Sequence, residues 1–279
     1  MSLIRLKYEF QDTKEAEEFY ENVYKKAKNN RVHMKWDYPI IHVELSQDQH
    51  FWKDVIQALI HVFILFRLPK LARNILKENY YYENEDEINH IIPILQSIMK
   101  NPLSYGTQTE RKTVQQFYAI LEENLKNESY ISFPSYFEQR EWEFYPDLVD
   151  ITGYAIDEWK REEDYQEYVH ILRNYIKNKE SKLNRLFITY DQDFQLYQDN
   201  GKHLSHQDLK TLLVNETLHF IDLFALDFQM SAIISIAPME IHLFTNNPFD
   251  PKIVTLQNLY QENAFLYPLK KFPFVRKKA

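Results

Sequence analysis

The chain has 279 residues and a net charge of −8, from 33 basic and 41 acidic side chains. That balance disfavours a general affinity for phosphate backbones and leaves only a local basic patch to bind nucleic acid. It has no cysteine, which excludes disulfides, thiolate nucleophiles, iron–sulfur ligation and cysteine-built zinc sites, and fits an ordinary reducing cytoplasm.

Three glycines, Gly106, Gly153 and Gly201, stand where an average chain of this length carries about 20. They lie too far apart for a P-loop, a Rossmann fingerprint or a kinase-type glycine loop, so no nucleotide or other cofactor is expected. The 20 tyrosines and 19 phenylalanines would suit stacking surfaces, although an AT-rich genome is the plainer source of both.

Met1 to Lys7 turns charged before an apolar run long enough for a signal peptide can form. Leu3, Arg5 and Lys7 alternate against Ile4, Leu6 and Tyr8, which predicts a strand, and the polar stretch Thr13 to Lys28 predicts a helix. Arg31 to Trp36 and Ile40 to Leu45 predict two further strands around an Asp37-Tyr38-Pro39 turn, with Val32, Met34 and Trp36 on one face. A small strand-helix-strand-strand unit thus opens the chain.

From Gln49 to about Tyr82 the apolar residues Phe51, Val55, Leu59, Val62, Phe63 and Phe66 recur at helical spacing. Pro69 is expected to kink or split this helix near Leu68. The apolar window Val55 to Phe66 falls short of the roughly 20 residues a bilayer span takes. Leu218 to Pro238 is interrupted by Asp222 and Asp227, so no transmembrane segment is expected. Helices follow at about Glu85 to Met99 and Arg111 to Lys126.

The turn residues of Asn127 to Pro134 suggest an organisational boundary, giving an N-terminal α/β and helical region over 1–128 and a C-terminal α+β region over 129–279. Tyr145 to Arg161 and Glu163 to Lys179 predict two facing helices, with Gly153 marking close packing. Leu186 to Tyr190 and Phe194 to Gln198 predict a hairpin across Asp191-Gln192-Asp193. Ser205 and Asp208 resemble a capping pair. A longer apolar helix from about Glu216 to Ile236 then precedes a strand at Met239 to Phe244. If that strand joins the hairpin's sheet in parallel, the connection is a right-handed helical crossover. The expected fold class is therefore helix-rich α+β.

Three local runs carry a resemblance. Ala155-Ile156-Asp157-Glu158-Trp159 leads through Glu162 to Tyr168 into Leu172-Arg173-Asn174-Tyr175. Phe194-Gln195-Leu196-Tyr197 precedes Asp199-Asn200-Gly201. The third run is Ile233 to Ile241, in which Ile-Ala-Pro leads into the last strand. In these runs, and in Ile75 to Tyr80, the chain resembles the YtxC-like family of sporulation proteins. The resemblance implies a sporulation-associated protein of endospore-forming Firmicutes, with no catalytic motif to carry over.

Glu216, His219 and Asp222 recur every three residues, and a helix could place them near one face as metal ligands or an acid/base group. A solvated polar face explains them as well, and no HExxH or GxSxG motif accompanies them. His203 and His206 stand in the same position. Asp191, Asp193 and Asp199 lack the later oxygen ligands of a calcium loop, whose places hold Leu196 and Tyr197.

In the tail, Lys270, Lys271, Arg276, Lys277 and Lys278 surround Phe272 and Phe274, a set suited to an anionic surface, a phosphate backbone or a partner. A solubilising terminus is the plainer alternative. The leading expectation is a non-catalytic factor that binds an unknown protein partner. Nucleic-acid association through the basic tail comes second, and a metal-dependent hydrolase centred on His219 third.

Overall fold

The computed structural model describes residues 4–27, 32–45, 49–104, 106–126, 129–212 and 227–274. The chain forms two units, Met1–Arg161 and Glu162–Ala279, each with its own hydrophobic core. The architecture is the helix-rich α+β fold expected, with two four-stranded mixed sheets.

The first unit opens with β1 (Ile4–Glu9), α1 (Thr13–Ala27), β2 (Val32–Asp37) and β3 (Ile40–Leu45). Period-two alternation sends Leu6 and Tyr8 into the core and leaves Arg5 and Lys7 exposed. β3 pairs antiparallel with both β1 and β2. The Tyr38–Pro39 peptide in the β2–β3 turn is cis. The turn-rich segment before Pro134 supplies a short strand, β4 (Tyr130–Ser132), which joins β1 in parallel.

α2 (Gln49–Val62) passes through a π-helical turn, Phe63–Arg67, into α3 (Leu68–Glu78). The interruption falls where Pro69 was expected to act. Proline lacks the N–H that would reach the carbonyl four residues back, and its ring crowds that carbonyl, so the helix widens just before it. Trp52–Glu78 is long and apolar enough to cross a membrane, but 56% of its most apolar window is buried inside the protein. Val55, Leu59, Val62 and Phe63 fill the first core together with residues of α4 (Glu85–Lys100) and α5 (Gln108–Lys126).

A polar ladder joins α1 to α2 and to the π-helical turn that follows it. Lys26 bonds Gln57, Glu18 meets His61 at 3.1 Å, and Arg67 donates through Nη2 to Glu15 at 3.0 Å. Glu15 is buried, and burial pushes its carboxyl up against the pull of Arg67.

α6 (Phe133–Asn178) is one continuous helix of 46 residues, which corrects the expectation of two facing helices. The polar run Arg161-Glu162-Glu163-Asp164 contains neither glycine nor proline, and its charged residues prolong a solvated helix face. The division between the two units lies within this helix. Gly153 gives room to an aromatic side chain rather than to a neighbouring helix. A Cβ there would lie 2.5 Å from the Tyr80 hydroxyl, which donates to the Val149 carbonyl at 2.9 Å.

The second unit contains the predicted hairpin, β5 (Arg185–Tyr190) and β6 (Phe194–Gln198), then α7 (His206–Leu212). Ser205 and Asp208 form the reciprocal cap expected of them. Of the apolar helix expected over about Glu216 to Ile236, the part up to 226 lies outside the described residues; α8 runs over Phe228–Ile236, with Asp227 extended and accepting from the Met230 N–H. The helix ends on Ala237 in the left-handed region, and Pro238 leads into β7 (Glu240–Thr245).

β7 joins the hairpin's sheet parallel to β5, which meets the condition for a crossover connection. Two elements went unforeseen: α9 (Pro251–Tyr260) and a fourth strand, β8 (Ala264–Pro268), parallel to β7. Their short periods are masked by the mixed polarity of the C-terminal sequence.

Candidate functional site: the aromatic face of the C-terminal sheet

The second sheet runs β6-β5-β7-β8. One face is covered by helices: Leu186, Ile188, Ile241 and Leu243 share a core with Ile233 of α8 and Leu256 of α9. A helical crossover between parallel strands places its helices on one face, and both β5-to-β7 and β7-to-β8 connections do so here. The opposite face is built by the alternate residues of the same strands.

On that face Tyr197, Phe187, His242 and Phe265 stand opposite one another in register, one from each strand. Phe187 and His242 stack at 4.7 Å and 9°, and His242 and Phe265 at 5.0 Å and 19°. Phe244 and Tyr267 form a second stacked pair at 5.1 Å. Cross-strand pairs of this kind stabilise a sheet and, being stacked face to face, turn ring edges outward. At the margin Arg185 lies 3.4 Å from Glu240, whose carboxylate is 3.6 Å from Nε2 of His242.

β8 is the outer strand next to β7, and its residues Ala264-Phe265-Leu266-Tyr267 carry no charge. Edge strands are ordinarily protected by charge, bulge or proline. Here only the terminal Pro268 serves that purpose, and Phe265 and Leu266 are 37% and 36% exposed.

The chain's own C-terminal segment crosses part of this face. After a short 3-10 turn, Leu269–Lys271, Phe272 packs on Tyr197 at 4.8 Å and on Phe244 at 5.2 Å. Phe274 meets Phe187 edge-on at 5.2 Å. Gly201, at φ +81°, leaves the space, since a Cβ there would lie 2.7 Å from a Phe274 ring carbon.

Of the tail residues singled out from the sequence, Phe272 and Phe274 are therefore half-buried on the sheet, and Lys270 and Lys271 are exposed beside them. Arg276, Lys277 and Lys278 lie outside the described residues, as do Glu216, His219 and Asp222.

The other polar candidates do not converge. His203 bonds Gln195 at 2.7 Å, whereas His206 packs on Phe228. Asp191 and Asp193 are exposed in the hairpin loop. Among the described residues no three histidine or acidic side chains gather as a metal site.

At the end of the sheet where open α/β folds commonly bind ligands, Asp227 and Asp250 already cap α8 and α9. Tyr190 donates to Asp250 at 2.9 Å, and Lys252 pairs with Asp227. Although burial pushes the Asp227 carboxyl up, its hydrogen bonds from Lys252 and Met230 hold it below the usual range. In the first unit, a cleft lined by Ile98, Glu110, Arg111 and Tyr154 encloses about 10 Å³, room for about one water.

The aromatic row was not read from the sequence. Its signal was there in the alternation of Phe187, of His242 with Phe244 and of Phe265 with Tyr267, but only strand register brings those residues together. No solved structure matches this chain. The "Uncharacterized protein YtxC" of Bacillus subtilis (strain 168) is 27% identical over 225 residues, which cover 77% of this chain and 76% of that protein. A family model described as the YtxC-like family matches residues 53–264, from α2 to the first residue of β8. The chain belongs to the YtxC-like family.

Proposed function

We propose that this chain is a non-catalytic, cytoplasmic protein-interaction factor associated with sporulation, and that the C-terminal sheet carries its docking surface. The observation that carries the reading is the stacked row of Phe187, His242 and Phe265 ending on an uncharged edge strand. A partner strand added to β8 would satisfy the outward backbone groups of that edge and lay alternate side chains beside Phe265 and Leu266. The sporulation context comes from the sequence resemblance.

Affinity capture of the tagged full-length protein from sporulating cells tests this, with nuclease treatment in parallel and Phe265→Ser/Leu266→Asp as the comparison. A defined protein that survives nuclease and is lost with the variant is the expected result. Turnover of a substrate by the purified protein, abolished by mutating a defined pocket, would overturn the reading.

A second reading, nucleic-acid binding through the tail, draws on the exposed Lys270 and Lys271. It is weakened by Phe272 and Phe274, which pack on the sheet rather than standing free to stack on bases. Binding of this kind would fall steeply with salt and vanish on neutralising Lys270, Lys271, Arg276, Lys277 and Lys278.

A further inference from the structure

We infer that the aromatic face of the C-terminal sheet is a docking groove for an extended peptide segment with two aromatic side chains one residue apart, and that Leu269–Phe274 is its intramolecular occupant, displaced when a partner binds. This rests on the interaction reading and adds to it the chemistry of the partner and the device that controls access.

The occupant is identified by what already sits there. Phe272-Pro273-Phe274 places two rings on Tyr197, Phe244 and Phe187, with the rings 5.6 Å apart. Proline between them keeps the backbone extended, so both rings reach the same face. Gly201 is cut to the shape of this occupant, because any Cβ would enter the Phe274 ring. Lys270 and Lys271 point to solvent, so the face selects aromatic rings rather than cations.

The segment is also built to leave. Its rings are only half-buried. The Phe272 N–H bonds back to Leu269 at 3.2 Å, within the segment itself. Leu269, by contrast, is 4% exposed and anchors the near end. Terminal segments held by a few side chains belong to the low-stability end of a fold and open independently of the rest. The covered row also continues past the segment to the exposed ring of Phe265, which gives an incoming chain a first contact before the tail is displaced.

The test uses full-length protein and a fluorescent peptide of residues 269–279, followed by anisotropy. In the wild type the tethered segment competes at an effective concentration on the order of millimolar, so the peptide binds weakly. In Phe272→Ala/Phe274→Ala the groove is vacated, and the peptide is expected to bind one to one and at least about tenfold more tightly than to wild type. A peptide with both phenylalanines replaced by alanine is expected not to bind.

Gly201→Asn in the Phe272→Ala/Phe274→Ala background provides an independent check of the site. Asparagine tolerates the left-handed backbone, and its Cβ takes the space of the Phe274 ring, so it is expected to abolish the gain in peptide affinity while leaving every ring of the face in place. Equal affinity for wild type and for Phe272→Ala/Phe274→Ala, or a gain that Gly201→Asn leaves untouched, with unchanged far-UV circular dichroism, overturns the inference. If that happens while the captured partner still depends on Phe265 and Leu266, the displaced-tail mechanism fails and the interaction reading stands.

Discussion

Replacing Gly153 by alanine, alone and with Tyr80→Phe, tests whether an aromatic hydroxyl rather than helix packing demands this glycine. Within a helix, alanine is favoured over glycine by about 1 kcal/mol. At this position the new Cβ would lie 2.5 Å from the Tyr80 hydroxyl and 3.4 Å from the ring carbon that bears it. The first distance forces the hydroxyl away from its bond to the Val149 carbonyl, at a cost of about 1 kcal/mol. The second is ordinary van der Waals contact.

Gly153→Ala is therefore expected to change stability little in the wild type, yet to stabilise the Tyr80→Phe protein by about 1 kcal/mol. Trp36, Trp52, Trp142 and Trp159 are the only tryptophans, and all lie in the unit that contains Gly153. Urea denaturation followed by tryptophan fluorescence therefore reports that unit. An equal effect of Gly153→Ala in both backgrounds, within a few tenths of a kcal/mol, would refute the reasoning.

Arg67→Ala leaves the buried Glu15 carboxylate unpaired and is expected to cost about 3 kcal/mol at neutral pH. Because burial raises the Glu15 carboxyl, the folded state holds that proton more readily, and stability falls as pH rises through its range. Urea denaturation should accordingly show a smaller loss in mild acid. Ala237→Gly relieves a left-handed alanine at φ +48° and is expected to stabilise the second unit by about 1 kcal/mol, measured by amide hydrogen exchange in β5 and β7. The Ser205 side chain, then the Ser205 N–H and Lys202, hold the Asp208 carboxyl down to about 2. The cap's contribution is therefore present above the ordinary aspartate range and is lost as pH falls toward that value. A carbon-13 titration should move the midpoint back up in Ser205→Ala.

Much of the fold follows from local pattern. Leu6 and Tyr8 alternate with Arg5 and Lys7, Ser205 faces Asp208 across one helical turn, and the proline of Ile236-Ala237-Pro238 ends a helix whichever neighbours surround it. The failures have local causes too. Arg161 to Asp164 is polar all round, and polarity marks solvent rather than a break, so one helix was read as two. Asp227 caps the N-terminus of α8 through its side chain, a signal that apolar periodicity does not record.

The aromatic face was legible only in fragments. By itself the sequence determined β1 to β3, β5 to β7, the Ser205–Asp208 cap, the buried stripes and the absence of glycine loops and cysteines, because each depends on residues within a few positions of one another. Only the tertiary structure decided that Tyr197, Phe187, His242 and Phe265 stand in one row and that Phe272 and Phe274 lie over it. Register between strands separated by long crossovers is set by which faces the helices bury, and that is a property of the packed chain rather than of any segment.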